Sequence, residues 1–291
     1  MDLTEKLKKE GEKLFHENLQ NICKLDNDRR PHLGMSQIGH DCRRKIFMSF
    51  RWFNKVETDP RKQRIFNLGH TLEAYIIEQL KKNYQVWDFD PKSGEQFRSQ
   101  DPDNKFYSGS WDGVIKIDEP YLLEIKSYNN ARFNTLKKDG VQSSDFSYHV
   151  QMQCYLKKAS QQGIKKALFY AYNKNTSEIY TEIIDYDGGK IYQAMSAKAN
   201  NIVDDFLPNM PKYKPTFYKC KMCEFSGTCH KGKSFSKNCR TCQYSEFNKE
   251  NGKVYCTNYA DSTDLVVNEV VLDYETQLKG CGEYVPLGVG E

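Results

Sequence analysis

Two short stretches, Gly109-Ser110-Trp111-Asp112-Gly113 and Leu122-Leu123-Glu124-Ile125-Lys126, decide the fold that this sequence predicts. Each reads as part of a short strand, and the turn Asp118-Glu119-Pro120 separates them. Because side chains alternate along a strand, Glu124 and Lys126 point to one face of the sheet. Leu123 and Ile125 point to the opposite face, into apolar packing. Antiparallel pairing brings Asp112 beside Glu124. We therefore expect two carboxylates and a lysine to converge at one edge of a sheet.

This trio suits phosphate chemistry. Mg²⁺ prefers a few carboxylate oxygens and keeps several waters, and it polarises a phosphate and helps to generate a hydroxide nucleophile. A neighbouring lysine orients the attacking water or stabilises the developing charge. An isolated Glu-x-Lys on a strand is more often a solvent-facing salt bridge. The upstream Gly109–Gly113 stretch, at hairpin distance, favours the catalytic interpretation.

The surrounding sequence alternates between helical and strand periodicity. The helix over 64–83 is the clearest, because Ile65, Leu68, Leu72, Ile76 and Leu80 form one apolar stripe. Other predicted helices span 2–24, 42–52, 147–161 and 190–207, and two further predicted strands span 167–173 and 178–184. This order predicts an α/β core with helices on both faces of the sheet.

Composition excludes some classes of protein. Among the 291 residues, charged residues make up 28% and hydrophobic residues 38%. No stretch approaches the roughly 18 apolar residues of a membrane span, and the opening residues lack the apolar core of a signal peptide. We expect no membrane association and a cytoplasmic location. A net charge of +4 permits nucleic-acid binding without arguing for it.

Ten cysteines are too many for a reduced cytosolic chain unless they have a chemical task. One group, Cys220-x2-Cys223-x5-Cys229, is one ligand short of a four-cysteine site. A second group, Cys239-x2-Cys242-x13-Cys256 with Cys281, predicts a small zinc ribbon whose folding depends on Zn²⁺. The alternative is that Cys281 is free and the second group is unligated. Cys23 and Cys154 fit apolar helix faces.

Together these motifs resemble the PD-(D/E)XK nuclease superfamily, in its RecB-like iron–sulfur exonuclease branch. Asp112, Glu124 and Lys126 match the catalytic trio of that family by position. Glu73 ends the helical Gly69-His70-Thr71-Leu72-Glu73 motif, and Gln151 and Tyr155 match the later QxxxY motif. The proline of the family name is absent before Asp112. The resemblance implies a restriction-endonuclease-like central mixed sheet flanked by helices, with iron–sulfur and C-terminal zinc-ribbon-like elements.

The resemblance also implies roles for single residues. Glu73, Asp112, Glu124 and the backbone carbonyl of Ile125 would bind Mg²⁺ or Mn²⁺. Lys126 would position the attacking water, Gln151 would hold Lys126 or the phosphate, and Tyr155 would support Gln151. The remaining implied residues would contact DNA; they are Arg43, Arg44 and His149. Basic runs of this kind are usually solvated helix faces, and a lone histidine is usually structural.

For the first cysteine group, the family supplies a fourth ligand from far upstream, and Cys42 occupies that place. The implied site is a [4Fe–4S] cluster held by Cys42, Cys220, Cys223 and Cys229, with a structural role. Zinc is the alternative, and His230 offers another ligand. Spacing does not separate the two metals, whereas the resemblance favours the cluster.

We therefore predict an N-terminal helical segment over 1–35, a nuclease core over 36–230 and a cysteine-rich element over 231–291. The expected function is metal-dependent DNA exonuclease activity on single-stranded or duplex ends, in phage or bacterial replication, recombination or repair. Recombination or replication proteins are expected partners. Two alternatives remain: a CRISPR-adaptation nuclease that processes spacers, and a non-catalytic nucleic-acid- or protein-binding module stabilised by its metals. The cysteine-rich tail favours a replication, recombination or repair exonuclease over a CRISPR-adaptation nuclease. The intact trio of Asp112, Glu124 and Lys126 disfavours a non-catalytic binding module.

Overall fold

The computed structural model describes residues 3–20, 29–54, 59–204, 207–210, 213–258 and 270–288. Cys23 lies outside them. The helices are α1 (Leu3–Gln20), α2 (Met35–Ile38), α3 (Arg43–Phe50), α4 (Pro60–Lys81), α5 (Asn130–Ser144), α6 (Phe146–Ala159), α7 (Lys190–Asp204), α8 (Tyr218–Lys221), α9 (Ser226–Lys231) and α10 (Tyr274–Lys279). The strands are β1 (Leu33–Gly34), β2 (Gln85–Trp87), β3 (Arg98–Gln100), β4 (Tyr107–Ser110), β5 (Gly113–Lys116), β6 (Pro120–Tyr128), β7 (Lys166–Asn173), β8 (Ile179–Asp185), β9 (Ser245–Asn248), β10 (Lys253–Cys256) and β11 (Val270–Leu272).

A mixed five-stranded sheet in the order β2-β5-β6-β7-β8 forms the centre of the chain. β6 and β7 are parallel, and α5 and α6 lie between them in sequence, while the other neighbouring strands are antiparallel. One face is covered by α4, whose Ile76 and Ile77 cluster with Leu123 and Ile125. The other face packs against the main core, which includes residues of α5, α6 and α7. The expectation of an α/β fold with a mixed sheet flanked by helices is confirmed.

The chain changes sheets at Trp111 and Asp112. β4 belongs to a second sheet, β1-β4-β3, whereas β5 belongs to the central sheet. The sequence read this region as one strand; the structure divides it. Two contacts fix the crossing: Trp111 is buried and stacks on Phe97 with ring centroids 5.4 Å apart, and Gly113 lies so close to the backbone of Trp87 that an added Cβ would be 2.6 Å from the carbonyl oxygen.

Two helices differ from the sequence-based expectation. Helix α5 is absent from the sequence-based prediction. It buries few residues, so its apolar periodicity is weak, and it is interrupted at Gly140, which has φ +72°. In α4 the predicted apolar stripe is buried at one end only. Ile76 is buried, but Ile65 and Leu68 are 42% and 45% exposed. The first half of α4 therefore extends beyond the sheet that its second half covers.

The C-terminal sheet, in the order β11-β10-β9, packs onto α3 rather than standing apart. Phe247 of β9 lies 5.2 Å from the ring of Phe50 and belongs to the main core. Arg240 is buried and donates hydrogen bonds to the carbonyl oxygens of Phe50, at 3.0 Å, and of Pro31, at 2.8 Å. Among the described helices, none is long and apolar enough to cross a bilayer.

Candidate active site

The crossing between the two sheets places Asp112 against β6. β5 and β6 are antiparallel, and Gly113 pairs with Leu123. Asp112, the residue before Gly113, therefore lies beside Glu124, the residue after Leu123. Its Oδ2 accepts a 2.7 Å hydrogen bond from the backbone N–H of Ile125. This bond fixes the carboxylate beside Glu124 and leaves Oδ1 for another partner.

Glu124 is the buried centre of the site, with a side chain that is not exposed to solvent. Its Oε1 accepts from Lys126 and, at 2.7 Å, from Nε2 of Gln151. Its Oε2 is buried and has no hydrogen-bond partner among the residues that the structure describes. Burial, opposed by Lys126 and reinforced by Asp112, raises the pKa of Glu124 to about 8. A buried carboxylate oxygen without a donor is costly, and a ligand of positive charge would relieve that cost.

Lys126 lies on the same face of β6 as Glu124, as strand alternation requires. Besides Glu124, its ammonium donates to the carbonyl oxygen of Ile125 at 3.1 Å. It also lies 5.4 Å from the ring centroid of Tyr148. Burial alone would lower the pKa of Lys126, but the Glu124 and Asp112 carboxylates outweigh it and raise the pKa above the usual range. Lys126 is therefore a hydrogen-bond donor and a cation, not a base.

Glu73 approaches the same cluster from α4. Burial raises its pKa, Asp112 raises it further, and Lys126 and His70 oppose the increase. The His70 Nδ1 lies 3.9 Å from Glu73 Oε2. Three carboxylates from α4, the sheet crossing and β6 thus interact electrostatically around one lysine.

Oxygen ligands of this kind suit a hard divalent cation. The unpartnered Oε2 of Glu124 and the mutual repulsion of Glu73, Asp112 and Glu124 are what such a cation would relieve. As placed, no group of three or more His, Cys, Asp or Glu side chains in the described part of the chain is close enough to enclose a metal ion. The donor set fits Mg²⁺ or Mn²⁺ in chemistry, and Lys126 occupies one of the oxygens.

Helix α6 presents Gln151 and Tyr155 to the site, one turn apart. The second N–H of Gln151 donates to Tyr155 Oη at 3.1 Å. Tyr155 is buried beneath Gly109, where an added Cβ would lie 2.8 Å from its ring. Gln151 therefore holds Glu124, not Lys126 as one of the expected alternatives had it. Tyr148, which precedes Gln151 by three residues, was missed although its spacing puts it on the same helix face.

The three residues expected to contact DNA have different surroundings. Arg43 is exposed. Arg44 is buried, and its Nη1 donates to the carbonyl oxygen of Pro208 at 2.6 Å. His149 is buried too, under the stacked ring of Phe146. Burial lowers the pKa of His149, and the acidic groups near it are Asp187 and Glu182 instead of the site carboxylates. Of the three, only Arg43 has an exposed side chain.

The first cysteine group lines one cavity at the start of α3. Cys42, Cys220, Cys223 and Cys229 share its wall with His40, Asp41 and His230, among others. Burial raises the pKa of Cys220, Cys223 and Cys229, and in Cys229 the Arg44 guanidinium opposes this effect. The structure thus brings the far-upstream cysteine to the C-terminal triad.

The second cysteine group lines a separate cavity in the C-terminal element. Cys239, Cys242, Cys256 and Cys281 all contribute to its wall. Burial raises the pKa of Cys239 to about 11, and the three other thiols reinforce the increase. Cys154 lies in neither cavity; it is buried, with its sulfur 3.1 Å from the hydroxyl of Tyr107.

No known family model matches the sequence, and no curated protein sequence does. Among solved structures, SSO0001 is 19% identical with a TM-score of 0.47, over 79% of this chain and 97% of that one. LHK-Exo in complex with dAMP is 15% identical with a TM-score of 0.43, over 60% of this chain and 87% of that one. A second structure of LHK-Exo, an alkaline exonuclease from Laribacter hongkongensis, is 15% identical with a TM-score of 0.41, over 60% and 89%. At these values neither function nor substrate carries over.

Proposed function

We propose that this chain is a divalent-cation-dependent nuclease that hydrolyses phosphodiester bonds of DNA from an end. The observation that carries the proposal is Glu124: it is fully buried, tied through Oε1 to Gln151 and Lys126, and unpartnered at Oε2 within the described residues. Most buried polar atoms in proteins have a hydrogen-bond partner, and a bound cation would supply one here. An acidic cluster around a permanent ammonium is the arrangement that phosphoryl chemistry uses.

Glu73, Asp112, Glu124 and the carbonyl of Ile125 would hold Mg²⁺ or Mn²⁺, which supplies polarisation of the phosphate and a more acidic water. Lys126 stays protonated beside Glu124, so it donates hydrogen bonds to the attacking water or to a phosphate oxygen and stabilises the developing negative charge. Gln151 keeps Glu124 in one rotamer, and Tyr155 keeps Gln151. Water attacks phosphorus in line with the departing oxygen: one P–O bond forms as the other breaks, the attacking water loses a proton to solvent, and the departing oxygen takes up a proton from solvent and leaves as a hydroxyl.

The cysteine cavities belong to the same proposal. Cys42, Cys220, Cys223 and Cys229 would hold a [4Fe–4S] cluster that closes the nuclease core, and Cys239, Cys242, Cys256 and Cys281 would hold Zn²⁺. The supporting observation is that each group of four lines its own cavity. Because hydrolysis transfers no electrons, both metals are assigned structural roles. We place the activity in phage or bacterial DNA replication, recombination or repair, with chemistry similar to that of RecB-like enzymes.

The test is degradation of linear DNA labelled at either end, single-stranded and duplex, with Mg²⁺, with Mn²⁺ and with chelator. We expect cation-dependent degradation from one labelled end, and no degradation of closed circular DNA. The Glu124→Gln variant, which keeps the shape of the side chain, should be inactive. If the folded, metal-replete wild-type protein binds DNA but degrades none of these substrates, the chain is a binding module and not a nuclease.

A further inference from the structure

Helix α4 is longer than the sheet it packs on. Its 22 residues span about 33 Å at 1.5 Å per residue. Its contacts with the central sheet are to β2 and β6, and its buried apolar residues there are Ile76 and Ile77. Glu73 stands at the boundary between the packed half and the half that extends past the sheet. The extending half therefore begins at the active-site cluster and leads away from it.

One face of this extending half continues the face that carries Glu73. At 100° per residue, Phe66 lies about 40° from each of Lys62 and His70, which span about 80° together, and Glu73 lies within about 20° of Phe66. His70 is 81% exposed and still lies 3.9 Å from Glu73, as the shared face requires. Phe66 is 58% exposed and Lys62 is exposed. A phosphodiester held at Glu73 would thus meet this stripe of Lys62, Phe66 and His70 next.

The chemistry of the extending half suits a polyanion. From Pro60 to Leu72 it carries Arg61, Lys62 and Arg64 and neither aspartate nor glutamate. Cations along a backbone path neutralise phosphates without reading sequence. The apolar residues Ile65 and Leu68 lie on a different face from Phe66, about 100° or more away. Phe66 is consequently an isolated exposed ring on the face that also carries Lys62 and His70, unlike the continuous apolar face with which a helix lies on a lipid surface.

An exposed ring discriminates between paired and unpaired strands. In a duplex both faces of a base are covered by its stacked neighbours, so a protein ring stacks only on a base that is unpaired. We infer that the Lys62–Phe66–His70 stripe of α4 binds an unpaired nucleic-acid strand next to the active site, with Lys62 on a phosphate and Phe66 stacked on a base. This inference rests on the proposed nuclease function and names its substrate class, a single-stranded end.

The test is equilibrium binding of fluorescein-labelled oligothymidylate and of a blunt duplex, in chelator so that no cleavage occurs. The variants are Phe66→Ala and Lys62→Gln. The matched control is Tyr84→Ala, because Tyr84 is an exposed aromatic residue just past the opposite end of α4. All three side chains are exposed, so the variants should keep the circular dichroism of the wild type.

We expect Phe66→Ala to weaken oligothymidylate binding about tenfold and to leave duplex affinity within twofold. Lys62→Gln should reduce the slope of log affinity against log salt by about 0.7, and Tyr84→Ala should match the wild type. An unchanged oligothymidylate affinity in Phe66→Ala, or an equal loss for duplex, contradicts the inference. So does binding of the wild type, but not of Phe66→Ala, to vesicles of anionic phospholipid. If the wild type degrades DNA while these variants bind normally, only the inference fails; if it neither binds nor degrades DNA, the proposed function fails with it.

Discussion

The side-chain amide of Gln151 donates a 2.7 Å hydrogen bond to Oε1 of Glu124, while Oε2 of the same carboxylate has no donor among the described residues. One oxygen is thus fixed by the protein and the other is left for a ligand. The side-chain nitrogen of Gln151 donates to both Glu124 and Tyr155, so α6 positions the carboxylate.

Replacing Gln151 by alanine should therefore act through Glu124. We expect kcat to fall about ten- to hundredfold, as loss of a group that orients a metal ligand does, and the Mg²⁺ concentration for half-maximal rate to rise. The KM for DNA should change little. Gln162→Ala, an exposed amide beyond the end of α6, is the control. A change confined to the KM for DNA would instead mean that Gln151 contacts the substrate.

The cysteine cavities predict metal contents that separate by site. Metal analysis of anaerobically purified protein should give about four irons per chain and about one zinc. Cys223→Ser should remove the iron and spare the zinc, and Cys281→Ser should do the reverse. Cys154→Ala lies outside both cavities and should retain both metals. Protein with zinc at both sites and no iron would refute the cluster while leaving the nuclease proposal intact.

Arg240 should be a large contributor to stability. Its guanidinium donates to the carbonyls of Phe50 and Pro31 and to Gln277 Oε1, and it lies 4.2 Å from the ring centroid of Trp52. Arg240→Met keeps the apolar volume and removes all three donors. Although burial of the charge opposes this gain and lowers the pKa of Arg240 to about 9, we expect the free energy of unfolding to fall by about 2 kcal/mol.

Urea unfolding measures this change, with the exposed Lys279→Met as the control. An Arg240→Met protein at least as stable as the wild type would show that these three hydrogen bonds do not stabilise the fold.

His32 gives the fold a dependence on pH. Burial, and then the charges of Arg30, Arg98 and Arg240, lower its pKa from 6.5 to about 4. As pH falls below 6.5 the unfolded chain takes up a proton that the folded chain resists, so stability present at pH 7 is lost towards pH 4. The gap corresponds to at most about 3 kcal/mol. His32→Asn should flatten the stability curve between pH 7 and 4.5; an unchanged slope would place the titrating group elsewhere.

The parts of this structure that were predictable from sequence depend on local periodicity. The apolar run of β6, the helix around Gln151 and the hairpin distance between Asp112 and Glu124 follow from alternation and from the turn between the strands. The direction of His149 could also be predicted, because two residues along a helix turn its side chain about 200° from that of Gln151. His149 accordingly interacts electrostatically with Asp187 and Glu182 and not with the site carboxylates.

Other features depend on contacts between distant segments. The crossing at Asp112 requires Gly113 to approach the carbonyl of Trp87, and nothing near Gly113 in sequence shows that approach. The exposure of Ile65 and Leu68 depends on where the sheet ends, which the helical stripe itself does not contain. The hydrogen bond from Gln151 to Glu124 was not among the expected alternatives, Lys126 and the phosphate, because it depends on how α6 packs against β6.

The most direct test of the account is the rate of hydrolysis of end-labelled single-stranded DNA as a function of Mg²⁺ concentration, for the wild type, Glu124→Gln and Gln162→Ala. We expect the hydrolysis rate of the wild type and of Gln162→Ala to saturate with Mg²⁺. The rate of Glu124→Gln should be at least about a hundredfold lower, although the variant remains folded. A Glu124→Gln protein that degrades DNA at the wild-type rate would contradict the account, because the buried, half-partnered carboxylate would then have no part in the chemistry.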